Sequence, residues 1–463
     1  MTSIEELGST LQSRLEELAG RHKVVGASVA VSQGEVLVQA ATGLTNQRTG
    51  VEVTTDTIFQ IGSISKSYTA ILVMQLVDEG LVDLDHPVGE YLTGFKTADP
   101  DSSARVTIRQ LLSHTSGIDG DVFEELGRGD DCVERYVDAM SGLAHTNPVG
   151  SFFSYCNSGY VLLGRLIEHF REVTWDAALA KYLLGPLGAT DTVTLADEAI
   201  LRRAAIGHIP SGPDGAMELA PSWFFSRALG PAGVIAAPAA EVLAFARLLI
   251  DDGKAADGTQ VLSPASVKAM RQLEVTIPDP YTLGDGWGLG VILYRLGSPL
   301  VIGHDGTTIG QNAYLRIVPE KDLAVTLLTN GGGAGALFDA LVRPILSDLA
   351  GAELGPAPQL PSEPVAADTM SFVGAYERSG VRMEISTDQD ARLWFQARST
   401  GPLAGSMPEE PPKELIVLDP TTLITAEPEP RLGRHLTFKF LEPSERGYGY
   451  VHFGARATPR IFD

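Results

Sequence analysis

The hydrophobic positions in the first part of the chain predict one helix followed by two strands. Leucines at positions 7, 11, 15 and 18 recur at the spacing of one helical face over residues 4 to 20, and Gly20 stands where such a helix would end. The run GASVAVSQGEVLVQAATG, residues 26 to 43, is strand-like on both sides of Gln33 and Gly34. These two residues predict a hairpin turn between the strands.

A helical region separates these strands from a second group of strands near residue 300. A helix is predicted from Ser63 to about Leu76, with a stop near Gly80, and helical patterns continue to about residue 250. Strand patterns return in GWGLGVILYRL (286–296), LVIGHDG (300–306), NAYLRIV (312–318) and LAVTLLTN (323–330). A last helix is predicted over residues 335 to 351. Strands on both sides of a helical insertion indicate an α+β domain with one antiparallel sheet.

The remaining residues predict a second, smaller domain. The stretch GPAPQLPSEPVAAD is rich in proline and has no periodicity, which is typical of a semi-rigid linker. Strand-like runs follow between proline and glycine breaks, namely VRMEIS, LWFQA, ELIVLD, LTFKFLE and GYGYVHF. They predict a small antiparallel β-barrel or sandwich. The predicted organisation is therefore a catalytic-sized domain at 1–354, a linker at 355–368 and a β-barrel domain at 369–463.

The charge of the chain argues against nucleic acid as a partner. Its 463 residues carry 35 Lys and Arg against 58 Asp and Glu, a net charge of -23, which repels phosphate backbones. The N-terminus holds glutamates where a signal peptide needs a basic start and an apolar run, and no apolar stretch is long enough to span a bilayer. We therefore expect a cytoplasmic protein without a membrane partner. Two cysteines, Cys132 and Cys156, are too few for a disulfide framework.

Ser63 and Lys66 form the chain's single S-x-x-K motif, at the point where a polar turn becomes an apolar helix. Residues three apart share a helical face, so Ser63 Oγ and Lys66 Nζ can meet over the first turn. An amine that the apolar run partly desolvates can hold a free lone pair and act as a base for the hydroxyl. The alternative is that Ser63 caps the helix and Lys66 is solvated. The motif by itself leaves both interpretations open.

A second candidate motif is Tyr155-Cys156-Asn157, the chain's single Y-x-N. Residues two apart in an extended segment point the same way, so Tyr155 and Asn157 can face one site. Tyr155 could shuttle a proton there, and Asn157 could position the lysine or a substrate amide. The alternative is a buried tyrosine and a turn asparagine ahead of a helix. Cys156 has no base nearby in the sequence and is interpreted as a packing residue.

The third candidate lies in the strand-like segment VIGHDGTTIG. His304 and Gly306 alternate onto one face of the strand, where His304 could hydrogen-bond the substrate or support the phenol, and Gly306 would let a substrate backbone lie close. The N–H of Thr307 would complete an oxyanion hole with that of Ser63. A second H-x-G at residues 452–454 makes the motif weak by itself, but the flanking strands favour His304.

Taken together, SISK, YCN and HDG, in this order and at these separations, resemble the serine β-lactamase and penicillin-recognising enzyme superfamily. The resemblance covers roughly residues 10 to 350, and it implies a helical subdomain beside an α/β sheet with the site in the cleft. It also implies that Ser63 is the nucleophile and Lys66 its base, with Tyr155 as the proton shuttle and Asn157 as a positioning group. The strands after the linker resemble the lipocalin-like barrel of some members.

His304 stands where the most similar class of β-lactamases carries the lysine of K-T-G. Esterase, D-aminopeptidase and acyl-transfer members of the superfamily share this departure, which argues against β-lactam hydrolysis. We therefore expect a serine hydrolase that acts through an acyl-enzyme on an ester, amide or peptide. One alternative is an acyltransferase or peptide macrocyclase, as in penicillin-binding-protein-type thioesterases. The other is a non-catalytic binding protein on the same fold.

The expected partner is a small-molecule or peptide substrate, and no cofactor is expected. The nine histidines show no metal-ligand spacing such as H-E-x-x-H, so no metal site is predicted, and His114 is interpreted as a turn residue. Four aromatic residues are candidates for a cleft wall, with core packing as the alternative for each: Trp223, Phe224, Phe225 and Trp287. A homo-oligomer is compatible with the sequence but is not specified by it.

Overall fold

The computed structural model describes residues 3–122, 125–211, 215–223, 225–401, 410–429 and 433–462. Its α-helices are, in chain order, α1 (Ile4–Arg21), α2 (Ser65–Asp78), α3 (Val88–Tyr91), α4 (Pro100–Ser103), α5 (Ile108–Leu112), α6 (Cys132–Ala139), α7 (Asn157–Arg171), α8 (Trp175–Leu179), α9 (Gly185–Leu187), α10 (Ala196–Ala199), α11 (Gly230–Gly233), α12 (Ala239–Leu248), α13 (Pro264–Met270) and α14 (Ala334–Ala350). Within these residues, no helix is both long and apolar enough to cross a membrane.

The strands before residue 330 belong mostly to one large sheet. They are β1 (Gly26–Gln33), β2 (Val36–Asn46), β3 (Val51–Glu52), β4 (Phe59–Gln60), β5 (His208–Ser211), β6 (Ala216–Leu219), β7 (Ala236–Ala237), β8 (Val275–Thr276), β9 (Gly286–Trp287), β10 (Ile292–Arg295), β11 (Val301–Thr307), β12 (Asn312–Val318) and β13 (Leu323–Thr329). The sheet has the order β3-β2-β1-β13-β12-β11-β10-β9-β8. Its strand pairs are antiparallel, so the predicted α+β fold with one antiparallel sheet is confirmed.

The predicted strand over residues 286–296 is instead the two strands β9 and β10, separated by a turn. Gly290 lies in this turn with a φ of 80°, a conformation that glycine adopts without a steric penalty. A Cβ on Gly290 would come within 2.2 Å of Ala70 Cβ in α2, so the turn can pack directly against that helix. Periodicity alone does not reveal this contact, because the apolar residues on both sides of the turn read as one continuous run.

Helices α1 and α14 pack together on one face of the sheet. The predicted leucine stripe of α1, at positions 7, 11, 15 and 18, is buried against this face. The helix extends one residue beyond Gly20, to Arg21. Helix α14 follows β13 and adds its own apolar stripe, which includes Leu341 and Ile345. The predicted first and last helices of this part of the chain are therefore present, and they share one hydrophobic core with the sheet.

The opposite face of the sheet holds the helical insertion, with α2 at its centre. Residues 65 to 76 of α2 are all buried, because α7, α11 and α8 surround the helix. Helix α12 covers β1 and β13 on the same side. A helix that is apolar on nearly every side is typical of the core of a large domain. The consequence for Lys66, one residue into α2, is that its side chain lies inside the protein.

The C-terminal strands form a closed barrel, as predicted. In order they are β14 (Gly374–Arg378), β15 (Val381–Thr387), β16 (Leu393–Ser399), β17 (Lys413–Asp419), β18 (Thr422–Thr425), β19 (Thr437–Ser444), β20 (Gly447–Phe453) and β21 (Arg456–Ile461). Three of them, β14, β18 and β21, lie outside the runs that the sequence pattern indicated. Residues 351–368, which are all described, form neither helix nor strand. The exact division into domain, linker and barrel stays a prediction.

The barrel contacts the first part of the chain through the turn between β20 and β21. The N–H of Tyr155 donates to Ala455 O at 2.9 Å, and the N–H of Ala457 donates to Ser154 Oγ at 3.2 Å. At another point of contact the Thr437 hydroxyl donates to a carboxylate oxygen of Asp279 at 2.7 Å. The barrel therefore holds the segment that carries the predicted tyrosine.

Candidate active site

Ser63 lies in a 3-10 turn, Gly62–Ile64, that leads directly into α2. Its side chain does not cap either helix. Gly62 has a φ of 52°, in the region that favours glycine, and a Cβ at this position would lie 2.7 Å from Thr307 N. The turn therefore packs tightly against the end of β11 and presents Ser63 at the start of a buried helix.

Lys66 is completely buried and its amine lies 3.1 Å from Ser63 Oγ. The amine also donates to Ala232 O at 2.6 Å. Burial lowers the pKa of the Lys66 amine from 10.5 to about 7, against the attraction of the Asp121 carboxylate, which raises it. The solvated lysine of the alternative interpretation is therefore excluded. An amine with this pKa is unprotonated in a large fraction of molecules at neutral pH.

Tyr155 lies beside this pair, and its ring centroid is 4.8 Å from Lys66 Nζ. Burial raises the pKa of its phenol, whereas the neighbouring Ser63 hydroxyl lowers it by a smaller amount. The phenol oxygen has no partner at hydrogen-bond geometry among the described residues. Tyr155 is therefore a protonated phenol next to Ser63 and Lys66, and its hydroxyl makes no hydrogen bond to a described residue.

Asn157 begins α7 and bonds to Asp121 rather than to Lys66. Its amide nitrogen donates to a carboxylate oxygen of Asp121 at 2.6 Å, and the other carboxylate oxygen of Asp121 lies 2.7 Å from the Arg456 guanidinium. Arg456 comes from β21 of the barrel and also donates from Nε to Tyr155 O at 3.2 Å. Its guanidinium and Asn157 together hold the pKa of the Asp121 carboxyl below its usual value, although burial opposes them.

His304 lies on β11 as a neutral imidazole. Its Nδ1 is 2.6 Å from the backbone oxygen of Asp305, so Nδ1 carries the proton and donates. Burial lowers the pKa of this imidazole to about 3, and the positive charge of Lys66 lowers it further. Nε2 is left as an acceptor without a partner among the residues that the structure describes. The ring centroid lies 6.4 Å from that of Tyr155, so the two rings share one pocket.

Gly306 and Thr307 follow His304 and lie directly against the Ser63 turn. A Cβ on Gly306 would be 1.9 Å from Ile61 O and 3.0 Å from Ser63 N, so only glycine allows this approach. The backbone that comes close to Gly306 is therefore the protein's own. Ser63 N and Thr307 N therefore lie at the contact between the two segments, and the oxyanion hole expected from their N–H groups stays a prediction.

The end of β11 has an open edge beside Ser63. Strand β10 pairs with β11 only as far as Gly303 in the described ranges, whereas β12 pairs with β11 up to Thr307. Residues 304–307 therefore have backbone groups that no neighbouring strand covers on one side. An edge of this kind is one to which an extended peptide can add as a further strand.

Two further buried rings, those of His114 and Trp287, lie next to Tyr155 and His304. His114, interpreted as a turn residue, has a φ of 57° and is fully buried. Its Nδ1 accepts from the N–H of Cys156 at 3.0 Å, and its ring centroid lies 4.3 Å from that of Tyr155. Trp287, a predicted wall residue, is buried between His114 and His304, at 4.6 and 5.2 Å between ring centroids. His114 therefore fixes the Tyr155 segment.

The other predicted wall residues are less informative. Trp223 donates from its indole N–H to Ala205 O at 2.7 Å, and Phe225 is half-buried. Phe224 lies outside the described residues.

The Cys156 sulfur accepts from the N–H of Gly159 at 3.2 Å, and burial raises the pKa of its thiol to about 12, so it serves as a helix cap rather than a nucleophile.

The second H-x-G motif lies in the barrel. His452 is on β20, fully buried, with its ring centroid 6.1 Å from that of Phe153. Burial lowers the pKa of its imidazole to about 3, as for His304. It packs in the interface between the barrel and the first part of the chain, whereas His304 shares a pocket with Tyr155.

Asp121, Arg456 and His114 are the site residues that sequence reasoning missed. None belongs to a short motif with a recognisable chemical spacing, and Arg456 lies 301 residues from Tyr155, whose backbone oxygen it contacts. The one local signal is His114 itself, a polar residue inside the apolar pattern VTIRQLLSHTSG.

Known proteins are similar to this chain along most of its length. The model of the family described as Beta-lactamase matches residues 11–347. Penicillin-binding protein 4 of Amycolatopsis lactamdurans is 44% identical over 372 residues, which are 80% of this chain and 97% of the relative. Esterase EstB of Burkholderia gladioli is 27% identical over 376 residues, which are 72% of this chain and 94% of the relative.

Among solved structures, that of SurE is similar over the full length. It is 29% identical, has a TM-score of 0.81, and covers 99% of this chain and 100% of SurE. The structure of SurE with D-Leu gives 28% identity and a TM-score of 0.79. The resemblance noted from SISK, YCN and HDG is thereby confirmed, and the extent of the family match leads to one conclusion: this chain belongs to the beta-lactamase family.

Proposed function

We propose that this protein is a serine hydrolase that forms an acyl-enzyme at Ser63. The observation that carries the proposal is the buried Lys66 amine, 3.1 Å from Ser63 Oγ, with its pKa lowered to about 7. A buried lysine without an ion-pair partner lowers the stability of the fold, and buried groups with shifted pKa values cluster at functional sites. Activation of a hydroxyl nucleophile is a function that suits such a lysine, because a serine hydroxyl is weakly nucleophilic without a base.

In the proposed acylation step, Ser63 Oγ attacks the substrate carbonyl while Lys66 Nζ takes the serine proton. The N–H groups of Ser63 and Thr307 stabilise the negative charge that develops on the carbonyl oxygen. Tyr155, whose pKa is raised, donates its proton to the leaving group as the bond between the leaving group and the carbonyl carbon breaks, and the Lys66 ammonium returns the serine proton to the Tyr155 oxygen. The products of this step are a Ser63 ester and the protonated leaving group.

Deacylation uses the same groups in the reverse direction. A water or an amine attacks the Ser63 ester and passes a proton to the Tyr155 oxygen while Tyr155 gives its own proton to Lys66; Lys66 then gives this proton to Ser63 Oγ as the ester bond breaks. His304 Nε2, an unpartnered acceptor, receives a hydrogen bond from the substrate in this proposal. Asn157 acts through Asp121 and thereby through Arg456, which holds the Tyr155 segment.

An ester, amide or peptide is the proposed substrate, and hydrolysis is the first candidate reaction. The name of Esterase EstB agrees with ester cleavage, and the binding of D-Leu by SurE agrees with a D-amino-acid unit in the substrate. The second candidate is acyl transfer to an amine, including peptide cyclisation. Burial of Lys66, Tyr155 and His304 favours it, because an amine has to outcompete water at the acyl-enzyme in a dry site.

The test is intact-mass analysis of the full chain after treatment with a serine-directed fluorophosphonate and, separately, with a peptidyl ester. A single adduct that is lost in Ser63→Ala is expected, and Ser65→Ala, two residues away, is the matched control that retains it. A chain that gains no adduct would instead be the non-catalytic binding protein on this fold. Addition of an amine to the ester reaction then divides the two candidate reactions: free acid alone indicates a hydrolase, and an amide product indicates acyl transfer.

The rate of acylation is expected to rise with pH through about 7 and to be constant above it. Only the unprotonated Lys66 amine can take the serine proton, and its pKa is lowered to about 7 by burial. His304, with a pKa of about 3, stays neutral throughout this range, and Tyr155, whose pKa is raised, stays protonated, so neither adds a second limb. The measurement is kcat/KM for an ester from pH 5 to 9. A profile without a limb near 7 would contradict Lys66 as the base.

A further inference from the structure

Tyr155 lies in a stretch of chain that has no regular secondary structure. Residues 153–156 belong to neither a helix nor a strand, and α7 begins only at Asn157. The position of the phenol beside Lys66 therefore depends on the hydrogen bonds and side-chain contacts between this segment and the rest of the protein. This position matters for the proposed reaction, because a proton donor has to lie within hydrogen-bond reach of the group that it serves.

His114, two residues after α5, binds this segment at the residue before Tyr155 and at the residue after it. The backbone oxygen of His114 accepts from the N–H of Ser154 at 2.9 Å, and its ring Nδ1 accepts from the N–H of Cys156 at 3.0 Å. The N–H of Tyr155 itself donates to Ala455 O of the barrel at 2.9 Å. One residue thus accepts from both N–H groups that flank Tyr155.

The ring of His114 also packs on the phenol ring. Its centroid lies 4.3 Å from that of Tyr155, with 30° between the two ring planes, and 4.6 Å from that of Trp287. The rings of Phe153 and Tyr160 lie at 5.7 and 5.0 Å from it, and the side chain is fully buried. The same side chain therefore contacts both the backbone and the ring that the proposed reaction uses.

The hydrogen bond from Cys156 determines which nitrogen of His114 carries the proton. A backbone N–H can only donate, so Nδ1 is unprotonated and Nε2 carries the one proton of a neutral imidazole. Burial and the positive charge of Lys66 hold the pKa of this imidazole well below its usual value. His114 therefore stays an acceptor at Nδ1 over the pH range in which Lys66 titrates, and it is neither an acid nor a base there.

We propose that His114 is a positioning residue of the reaction, which holds the Tyr155 phenol where it can protonate the leaving group. This inference rests on the proposed function, in which Tyr155 is the proton donor. Loss of the ring acceptor would leave the N–H of Cys156 unpaired in the interior, and the segment would have to shift to satisfy it. A small displacement of the phenol is enough to slow the step that needs its proton.

The test compares two esters with the same acyl part and different leaving groups, an alkyl alcohol and p-nitrophenol. An alkoxide is strongly basic and has to be protonated as it leaves, whereas p-nitrophenolate can leave without a proton. Tyr155→Phe is the reference variant, and its kcat/KM for the alkyl ester is expected to fall by about 10² to 10⁴-fold, the usual contribution of a general acid. Its kcat/KM for the p-nitrophenyl ester is expected to fall much less.

His114→Gln is expected to show the same selective loss. Its amide lies one carbon further from the backbone than Nδ1, so kcat/KM of the alkyl ester should fall by about tenfold to a hundredfold, the usual cost of a misplaced group. The p-nitrophenyl ester should keep most of its rate. His169→Gln, at an exposed position of α7, is the matched control and should cleave both esters like the wild type.

His114→Asn is the conservative variant that should restore part of the lost rate. Its amide oxygen is attached to Cγ, as Nδ1 is, so it keeps the acceptor for Cys156. It also suits the backbone, because His114 has a φ of 57° and asparagine is enriched in this left-handed region. The ring contact with Tyr155 is lost, so the alkyl-ester rate of His114→Asn is expected to lie between those of the wild type and His114→Gln.

Titration of Ser63 with a fluorophosphonate counts the active molecules of each variant, so that partial unfolding, which lowers both rates alike, is divided out. Equal losses for the two esters in His114→Gln would show a merely structural role and overturn the proposal. An alkyl-ester rate of His114→Asn no higher than that of His114→Gln would also overturn it. If His114→Gln does not fold, His114→Asn decides alone: a loss confined to the alkyl ester supports the proposal, and equal losses contradict it.

The outcome is separable from that of the proposed function. If Tyr155→Phe loses both esters equally, or neither, Tyr155 is not the proton donor to the leaving group, and the inference on His114 is wrong with it. If Tyr155→Phe shows the selective loss and His114→Gln does not, the proposed function remains and the inference on His114 alone is wrong.

Discussion

Replacement of Lys66 by methionine is expected to lower kcat by about 10³-fold, because general bases contribute roughly 10² to 10⁴ in rate. The Lys66 amine lies 3.1 Å from Ser63 Oγ, within reach of its proton, and burial already holds the pKa of this amine near 7. Methionine is similar in size and apolar, so it fills the same buried position in α2. The measurement is the rate of acyl-enzyme formation and the steady-state kcat with one ester.

The Lys66→Met protein is expected to remain folded, and its Tm is expected to be equal to or higher than that of the wild type. The reason is that an unpaired buried amine is replaced by an apolar side chain in an apolar helix environment. Lys268→Met, an exposed lysine of α13, is the matched control and should keep full activity. Acylation of Ser63 at the wild-type rate in Lys66→Met would show that another group is the base.

Replacement of Arg456 by methionine is expected to have the second-largest effect, with a loss of about 10²-fold in kcat. The Asp121 carboxylate would lose its 2.7 Å partner, and the backbone oxygen of Tyr155 would lose the 3.2 Å hydrogen bond from Arg456 Nε. A misplaced group in an active site commonly costs this much in rate. A buried pair broken on one side also destabilises a protein by about 3–5 kcal/mol.

Arg456 is a positioning residue in this account, and the pH profile distinguishes that role from a merely structural one. Its positive charge lowers the pKa of Lys66, so its removal should move the limb of the kcat/KM profile above pH 7. The double variant Asp121→Asn with Arg456→Met should recover part of the lost stability, because it leaves no unpaired charge. Arg446→Met, at the exposed turn between β19 and β20, is the control. An unshifted limb in Arg456→Met would contradict the coupling to Lys66.

Ser63 and Lys66 could be found from the sequence because their relation is local. A spacing of three positions places both side chains on one face of a helical turn, and the apolar run of α2 already indicated that Lys66 would be buried. The combination of the three motifs was needed to assign Tyr155, Asn157 and His304 to a site, because each residue alone has an ordinary structural interpretation. The roles proposed for all these residues are for the experiments above to decide.

The sequence could not indicate which groups surround those residues. Arg456 reaches Tyr155 across 301 residues, and Asp121 lies in the acidic stretch IDGDVFEE, in which nothing in the sequence distinguishes it from its acidic neighbours. His304 and His452 have the same local motif and the same direction of pKa shift. The flanking strands favour His304, but only the tertiary structure shows that His304 shares a pocket with Tyr155 and that His452 lies in the interface between the barrel and the first part of the chain.

The turn between β20 and β21 also has a consequence for biosynthesis. A ribosome releases the sheet, α2 and α14 before it has translated the residues that donate to Ser154 Oγ and accept from Tyr155 N. A nascent or prematurely terminated chain would contain Ser63 and Lys66 but would lack the two hydrogen bonds that hold residues 154 and 155. We therefore expect a chain that lacks residues 454–457 to acylate Ser63 more slowly, because these hydrogen bonds no longer hold the Tyr155 segment.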